Sequence, residues 1–202
     1  MFSLAPVQFR NSPIQGRGVF ARRRFEPGEV IVPYAPKQSR LPVHDPRAAE
    51  AAETKLTLLA GDEVIVPDTS VPGGWLCNHS CHPNATLYSS GVGRIQCTRS
   101  ISPGEEVTIF YGWVSHNDPK RDPCLCGTPQ CRGYINFDLS DEDASHAEMR
   151  DGQVVVDDVL KARLAEYAQF LASIGQEQVQ EVIATTLVRI KTREPGSVVC
   201  AY

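Results

Sequence analysis

Three cysteines fall within eight positions, Cys124-Leu-Cys126-Gly-Thr-Pro-Gln-Cys131, a C-x-C-x4-C cluster. Structural zinc takes four thiolate or imidazole ligands in a tetrahedron, and tight cysteine spacing with Gly and Pro between lets the backbone wrap one ion. The cluster is one ligand short. On spacing alone Cys77, Cys81, Cys97, Cys200 and the histidines are all candidates for the fourth. Two more cysteines and two histidines crowd the stretch Trp75-Leu-Cys-Asn-His-Ser-Cys-His-Pro-Asn84. A nucleophilic cysteine and its base usually lie far apart in sequence, so Cys81 beside His79 or His82 does not read as a catalytic pair. Nor does this one short loop read as a complete zinc site, since some of its side chains must point apart. The sharper reading is that one of its cysteines completes the 124–131 cluster.

Two further segments carry chemistry. Gly16-Arg-Gly18-Val-Phe-Ala21 sets two glycines before a strand, which lets the backbone approach a ligand closely or simply makes a tight turn. It is not a dinucleotide fingerprint, because no third glycine and no helix follow. Gly104-Glu-Glu-Val-Thr-Ile-Phe-Tyr111 is a turn running into an apolar strand that ends in tyrosine. Taken alone, Tyr111 is an ordinary core aromatic.

The elements that must position these residues are mostly short strands. VQF, GVFA and EVIVPY in the first 35 residues are apolar or alternating and are broken by the turns PIQGRG and EPGE. VIVP (64–67), ATLY (85–88), RIQCT (94–98) and VTIFY (107–111) read as further strands. A helix is predicted over 45–60, with Asp45 as cap and Pro46 in its first turn. Residues 139–145 are acidic and loop-like. From Asp157 the apolar period becomes helical through Leu160, Leu164, Tyr167, Leu171 and Ile174, and a second helix is expected from Gln176 to about Lys191. These two helices read as a hairpin packed on the domain, or as an element for dimerisation or substrate gating.

Composition bounds the function. The 202 residues are 42% hydrophobic and 22% charged, with a net charge of −4. That suits a globular domain with a real core. It argues against direct nucleic-acid binding, which needs clustered Lys and Arg. The first twenty residues lack a continuous apolar core and no apolar run has the length of a membrane span, so an intracellular setting, nuclear or cytoplasmic, is expected and no membrane partner. Seven cysteines, odd in number and clustered, favour a metal over a disulfide framework.

The order GRGVFA, NHSCHPN, GEEVTIFY and C-x-C-x4-C, across roughly residues 8–136, resembles the SET-domain lysine methyltransferases with a post-SET zinc motif. The resemblance implies a mostly β fold of small curved sheets with a pseudoknot. It implies a SET domain over 1–117, a post-SET zinc-binding segment over 118–138, and an acidic linker with a C-terminal α-helical extension over 139–202. It also implies an S-adenosylmethionine-dependent enzyme that methylates lysine on a protein, histone or otherwise. By matching position, Gly16, Arg17, Gly18, Asn78 and His79 would hold the cofactor. Tyr111 would be catalytic, and Ile109 and Tyr111 would line the substrate channel. Cys81 would join Cys124, Cys126 and Cys131 around one structural zinc ion. The chain departs from the family pattern at Trp75-Leu76-Cys77 before Asn78, at Phe110 before the tyrosine, and at Val32-Pro33-Tyr34 in the first sheet region. Ile109 stands where the family has a Phe/Tyr switch, and an apolar residue there implies multiple rather than single methylation. The same motifs could serve an inactive, zinc-braced interaction module, or a methyltransferase of small-molecule amines.

Overall fold

The computed structural model describes residues 5–42, 44–52, 54, 56–60, 63–88, 93–111, 113–116, 122–135, 137–139, 145–150, 153–162 and 199–200. The chain divides into two compact units. One is Met1–Phe110 with Cys124–Gly133 and Tyr202, and the other is Tyr111–Pro123 with Tyr134–Ala201.

The first unit carries ten strands, one short α-helix and a single 3-10 turn (Gly74–Leu76) among the described residues: β1 (Val7–Asn11), β2 (Arg17–Ala21), β3 (Val30–Pro33), β4 (Gln38–Pro42), α1 (Pro46–Ala52), β5 (Leu58–Ala60), β6 (Glu63–Pro67), β7 (Asn78–His79), β8 (Ala85–Tyr88), β9 (Arg94–Cys97) and β10 (Glu106–Ile109). They form three small sheets, ordered β1-β2-β10-β7, β3-β9-β8 and β4-β6-β5. The mostly β architecture read from the sequence is therefore the one found.

The first sheet positions the site. β1 and β2 pair antiparallel from Val7↔Ala21 to Asn11↔Arg17. β10 lies antiparallel to β2, with Val107 opposite Val19, and both valines are fully buried. On its other edge β10 runs parallel to the two-residue β7, with Thr108 opposite Asn78 and Ile109 opposite His79. Val19, Phe25, Ile65, Ile95, Ile101 and Val107 are all fully buried core residues. Such side chains stabilise the fold by about 1.5–3 kcal/mol each through the apolar surface they remove from water.

The helix expected over 45–60 ends at Ala52. Asp45 does begin it, accepting a hydrogen bond from the Arg47 N–H. Beyond it the Thr54 hydroxyl donates to the Ala51 carbonyl and accepts from the Leu56 N–H, which takes the chain out of helix. Leu58–Ala60 then pairs with β6, and Leu58 is buried opposite Ile65. Sheet pairing thus outweighs the helical preference of the leucine-rich end.

In the second unit β11 (Trp113–His116) lies between β12 (Phe137–Leu139), to which it is parallel, and β15 (Val199–Cys200). A hairpin of β13 (Ala147–Arg150) and β14 (Gln153–Val156), not foreseen from sequence, occupies the stretch before the helical pattern. Residues 158–162 are helical. Asp157 caps them, its Oδ1 accepting from the N–H groups of Val159 and Leu160 at 3.0 and 3.1 Å. The rest of the two expected C-terminal helices lies outside the described residues. Among the described residues no helix is long and apolar enough to cross a membrane.

Candidate functional site

The glycine segment and the Asn-His pair meet at the first sheet. Gly16 has φ +51°, a conformation that costs other residues energy, and a Cβ placed there would meet nothing within 4 Å. Arg17 is exposed and opens β2, and its carbonyl accepts a hydrogen bond from Asn78 Nδ2 at 3.2 Å. Gly18 is buried against Glu106 and Asn78, so tightly that a Cβ there would lie 2.2 Å from Glu106 Oε1. Asn78 and His79 are both buried polar residues. Gly16, Arg17, Gly18 and Asn78, expected together from the motifs, are thus neighbours in space.

Asn78 is held from a second side. Its Nδ2 donates to Glu106 Oε1 at 2.7 Å, while Glu106 Oε2 accepts from the Ser12 hydroxyl at 2.8 Å. His79 is buried, with its ring 5.2 Å from that of Phe110 and its Nε2 3.5 Å from Cys81 Sγ. Burial, followed by the nearby Arg132 charge, pushes the imidazole down to about 3, so His79 is neutral at physiological pH. Ile109 is buried on β10 opposite His79, and its carbonyl accepts from the Ser80 N–H. Tyr111 follows Phe110 and opens the second unit.

The four cysteines named from the motifs, Cys81, Cys124, Cys126 and Cys131, come together, with all four sulfurs within 4.8 Å of one another. Cys81 and Cys124 Sγ are 3.7 Å apart. A tetrahedral zinc with Zn–S near 2.3 Å requires sulfurs about 3.8 Å apart, so the spacing fits that ion. Backbone N–H groups support the sulfurs: Arg132 donates to Cys81 Sγ and Gly133 to Cys131 Sγ, each at 3.4 Å. Such outer bonds orient thiolate ligands. Burial pushes the Cys124 and Cys81 thiols up. Burial also acts to raise Cys126, but the Thr128 hydroxyl and the backbone N–H groups of Cys81 and Thr128 outweigh it and hold this thiol down to about 6. Four thiolates this close repel one another, and a dication would relieve that repulsion. Cys77 and Cys97 are buried outside the cluster, and the Cys97 thiol donates to the Arg99 carbonyl.

Two residues of the site gave no signal as site residues in the sequence. Asn84 is 1% exposed and clamps β10. Its Nδ2 donates to the Glu106 carbonyl at 2.8 Å and to Glu105 Oε1 at 3.0 Å, and its Oδ1 accepts from the Thr108 N–H at 2.8 Å. Glu106 read as part of a turn, and no local pattern marks it. Its partner Ser12 is 94 positions away in the chain.

Residues 16–112 match the family model of the SET domain. Three curated relatives align with about two-thirds of the chain. The H3 lysine-4 specific histone-lysine N-methyltransferase of Saccharomyces cerevisiae is 33% identical over 142 residues, covering 65% of this chain and 13% of the yeast protein. Histone-lysine N-methyltransferase TRX1 of Oryza sativa is 33% identical over 141 residues, covering 64% of this chain and 14% of the rice protein. Histone-lysine N-methyltransferase trr of Drosophila melanogaster is 32% identical over 139 residues, covering 64% of this chain and 6% of the fly protein. The chain therefore spans a small fraction of the length of these relatives. The sheets and the cysteine cluster described above are consistent with a SET domain over the matched residues 16–112.

Proposed function

We propose that this chain is an S-adenosylmethionine-dependent protein-lysine N-methyltransferase whose post-SET segment, residues 118–138, is braced by one zinc ion. The observation that carries the reading is the junction at β7. Its Asn78 lies against the Gly16–Gly18 backbone, while Cys81, two residues past its His79, belongs to the four-sulfur cluster. On this reading one short strand would join the proposed cofactor site to the proposed metal site.

When bound, the cofactor supplies a methyl group on a sulfonium. Gly16, Arg17 and Gly18 would hold it mainly through backbone atoms, with Asn78 and His79 at its methionine and adenine parts. The residues fit such a ligand, because Gly16 and Gly18 present bare backbone and Asn78 is fixed to the Arg17 carbonyl between them. The acceptor lysine must be neutral, whereas an ordinary lysine has a pKa near 10.4. An apolar channel would disfavour its charge, and Ile109, a buried apolar residue, would form part of such a wall. Tyr111 would orient the amine through its hydroxyl. An unperturbed tyrosine, with a pKa near 10, suits that task better than general-base work. Held by the four sulfurs of Cys81, Cys124, Cys126 and Cys131, a zinc ion would be structural and would take no part in the transfer.

The relatives named for histone H3 lysine 4 make a histone tail the first substrate to try, which would put the protein in an intracellular setting. The test is label transfer from S-adenosylmethionine to core histones and to a cell extract lacking the protein, by the zinc-loaded full chain. Tyr111→Phe is the control. Transfer by the wild type, lost in the variant, is expected. Calorimetry showing no cofactor binding would instead favour the interaction module. Label persisting equally in Tyr111→Phe would remove that residue from its role.

A further inference from the structure

Glu106 lies where the glycine loop meets β7, and its carboxylate uses both oxygens there. Oε1 accepts from Asn78 Nδ2 at 2.7 Å and Oε2 accepts from Ser12 Oγ at 2.8 Å. Ser12 is itself locked into the loop. Its hydroxyl accepts from the Ile14 N–H at 2.9 Å and its own N–H donates to the Gly16 carbonyl at 2.9 Å. Asn78 Nδ2 makes a second bond to the Arg17 carbonyl. The two partners of that amide group, a carboxylate and a carbonyl, can only accept. The side-chain amide of Asn78 must therefore turn its NH2 to them, which leaves Oδ1, an acceptor, for a ligand. Gly18 belongs to the same arrangement, since any side chain there would strike Glu106 Oε1 and press on Asn78.

We propose that Glu106 is a positioning residue for the cofactor: it fixes the orientation of the Asn78 amide and ties it to the 12–18 loop, so that both halves of the site are set before the ligand arrives. This rests on the reading of residues 16–18 and 78 as cofactor contacts. Pre-setting matters because a site ordered only on binding loses affinity to the ordering. Glu106 touches no reacting atom in this role. A charged acceptor makes the stronger kind of hydrogen bond, and removing it leaves the Asn78 amide with a single tether.

Affinity for S-adenosylmethionine is measured by calorimetry on the zinc-loaded full chain, with zinc content and melting temperature as fold controls. Glu106→Ala should bind about ten- to a hundredfold more weakly, the scale of one lost charge-assisted hydrogen bond. Glu106→Gln keeps an acceptor for Asn78 and a donor for Ser12, and should recover most of the affinity. In an Asn78→Ala background the effect of Glu106→Ala should shrink to less than about twofold, because Glu106 acts through Asn78. Where Glu106→Ala does not fold, Ser12→Ala carries the test, with an expected loss of about two- to tenfold. If the wild type binds the cofactor and Glu106→Ala, or Ser12→Ala in its place, binds equally well, the role of Glu106 is overturned while the proposed function stands. An undiminished effect in the Asn78→Ala background also overturns it. No binding by the wild type removes the proposed function and this role together.

Discussion

Replacing Asn84 by alanine should loosen β10 more than any single apolar truncation on its surface. The side chain is 1% exposed and makes three hydrogen bonds. Alanine leaves the Thr108 N–H buried without an acceptor, a penalty of about 1–3 kcal/mol. The bonds to the Glu106 carbonyl and to Glu105 contribute about 0.5–1.5 kcal/mol each. The expected loss therefore centres on about 4 kcal/mol. Because the chain has two compact units, one global unfolding curve does not isolate this effect. Native-state hydrogen exchange of the β10 amides does, since each tenfold change in protection reports about 1.4 kcal/mol of opening free energy. Exchange at Val107 and Ile109 should accelerate more than a hundredfold. Asn84→Asp should be no better, because it keeps the acceptor for Thr108 but turns an oxygen toward Glu105 Oε1 and the Glu106 carbonyl. Acceleration of less than tenfold in Asn84→Ala would show that the three bonds are not a clamp.

Gly18→Ala should displace Glu106 and weaken cofactor binding, and the loss should be smaller in a Glu106→Ala background, where the 2.2 Å clash is gone; equal losses in both backgrounds would count against the steric explanation. Cys81→Ser removes one of four sulfurs, so zinc measured by competition with a chromophoric chelator should be held far less tightly. Stripping zinc with a chelator should speed amide exchange across residues 124–133, and unchanged protection there would refute the brace. Ile109 offers no hydroxyl to hold a water near the amine, so mass spectrometry of a verified substrate should find di- or trimethyl-lysine. A product that stays monomethylated would refute that expectation.

Much of the sheet structure was legible because its strands are short, apolar and bounded by turn residues, as in RGVFA and ATLY. The two-residue β7 was not, since Asn-His has no period to read and becomes a strand only by lying beside Thr108 and Ile109. β4 is a run of half-buried and exposed residues, QSRLP, that pairs with β6 without an apolar signature of its own. The helix predicted past Ala52 failed at Leu58, where pairing with Ile65, seven positions on, takes over. The C-x-C-x4-C loop announced itself locally. Its fourth sulfur did not, because spacing offers several candidates and only the chain path picks Cys81. Glu106 was silent for the same reason, as both of its side-chain partners are remote in sequence.

The four-sulfur cluster also bears on how the protein is made. Cys81 and Cys124 are 43 residues apart, and the first unit is interrupted by the segment Tyr111–Pro123. During synthesis at about 5–20 residues per second, Cys81 precedes Cys124 by about 2–9 s. Over that interval the loop after β7 holds one thiol of a site that cannot yet close, with Cys77 four positions away as a neighbour for wrong pairing. If the cluster takes the proposed zinc ion, correct assembly of the first unit would depend on a reducing environment and on metal supply at the moment the second cysteine group appears.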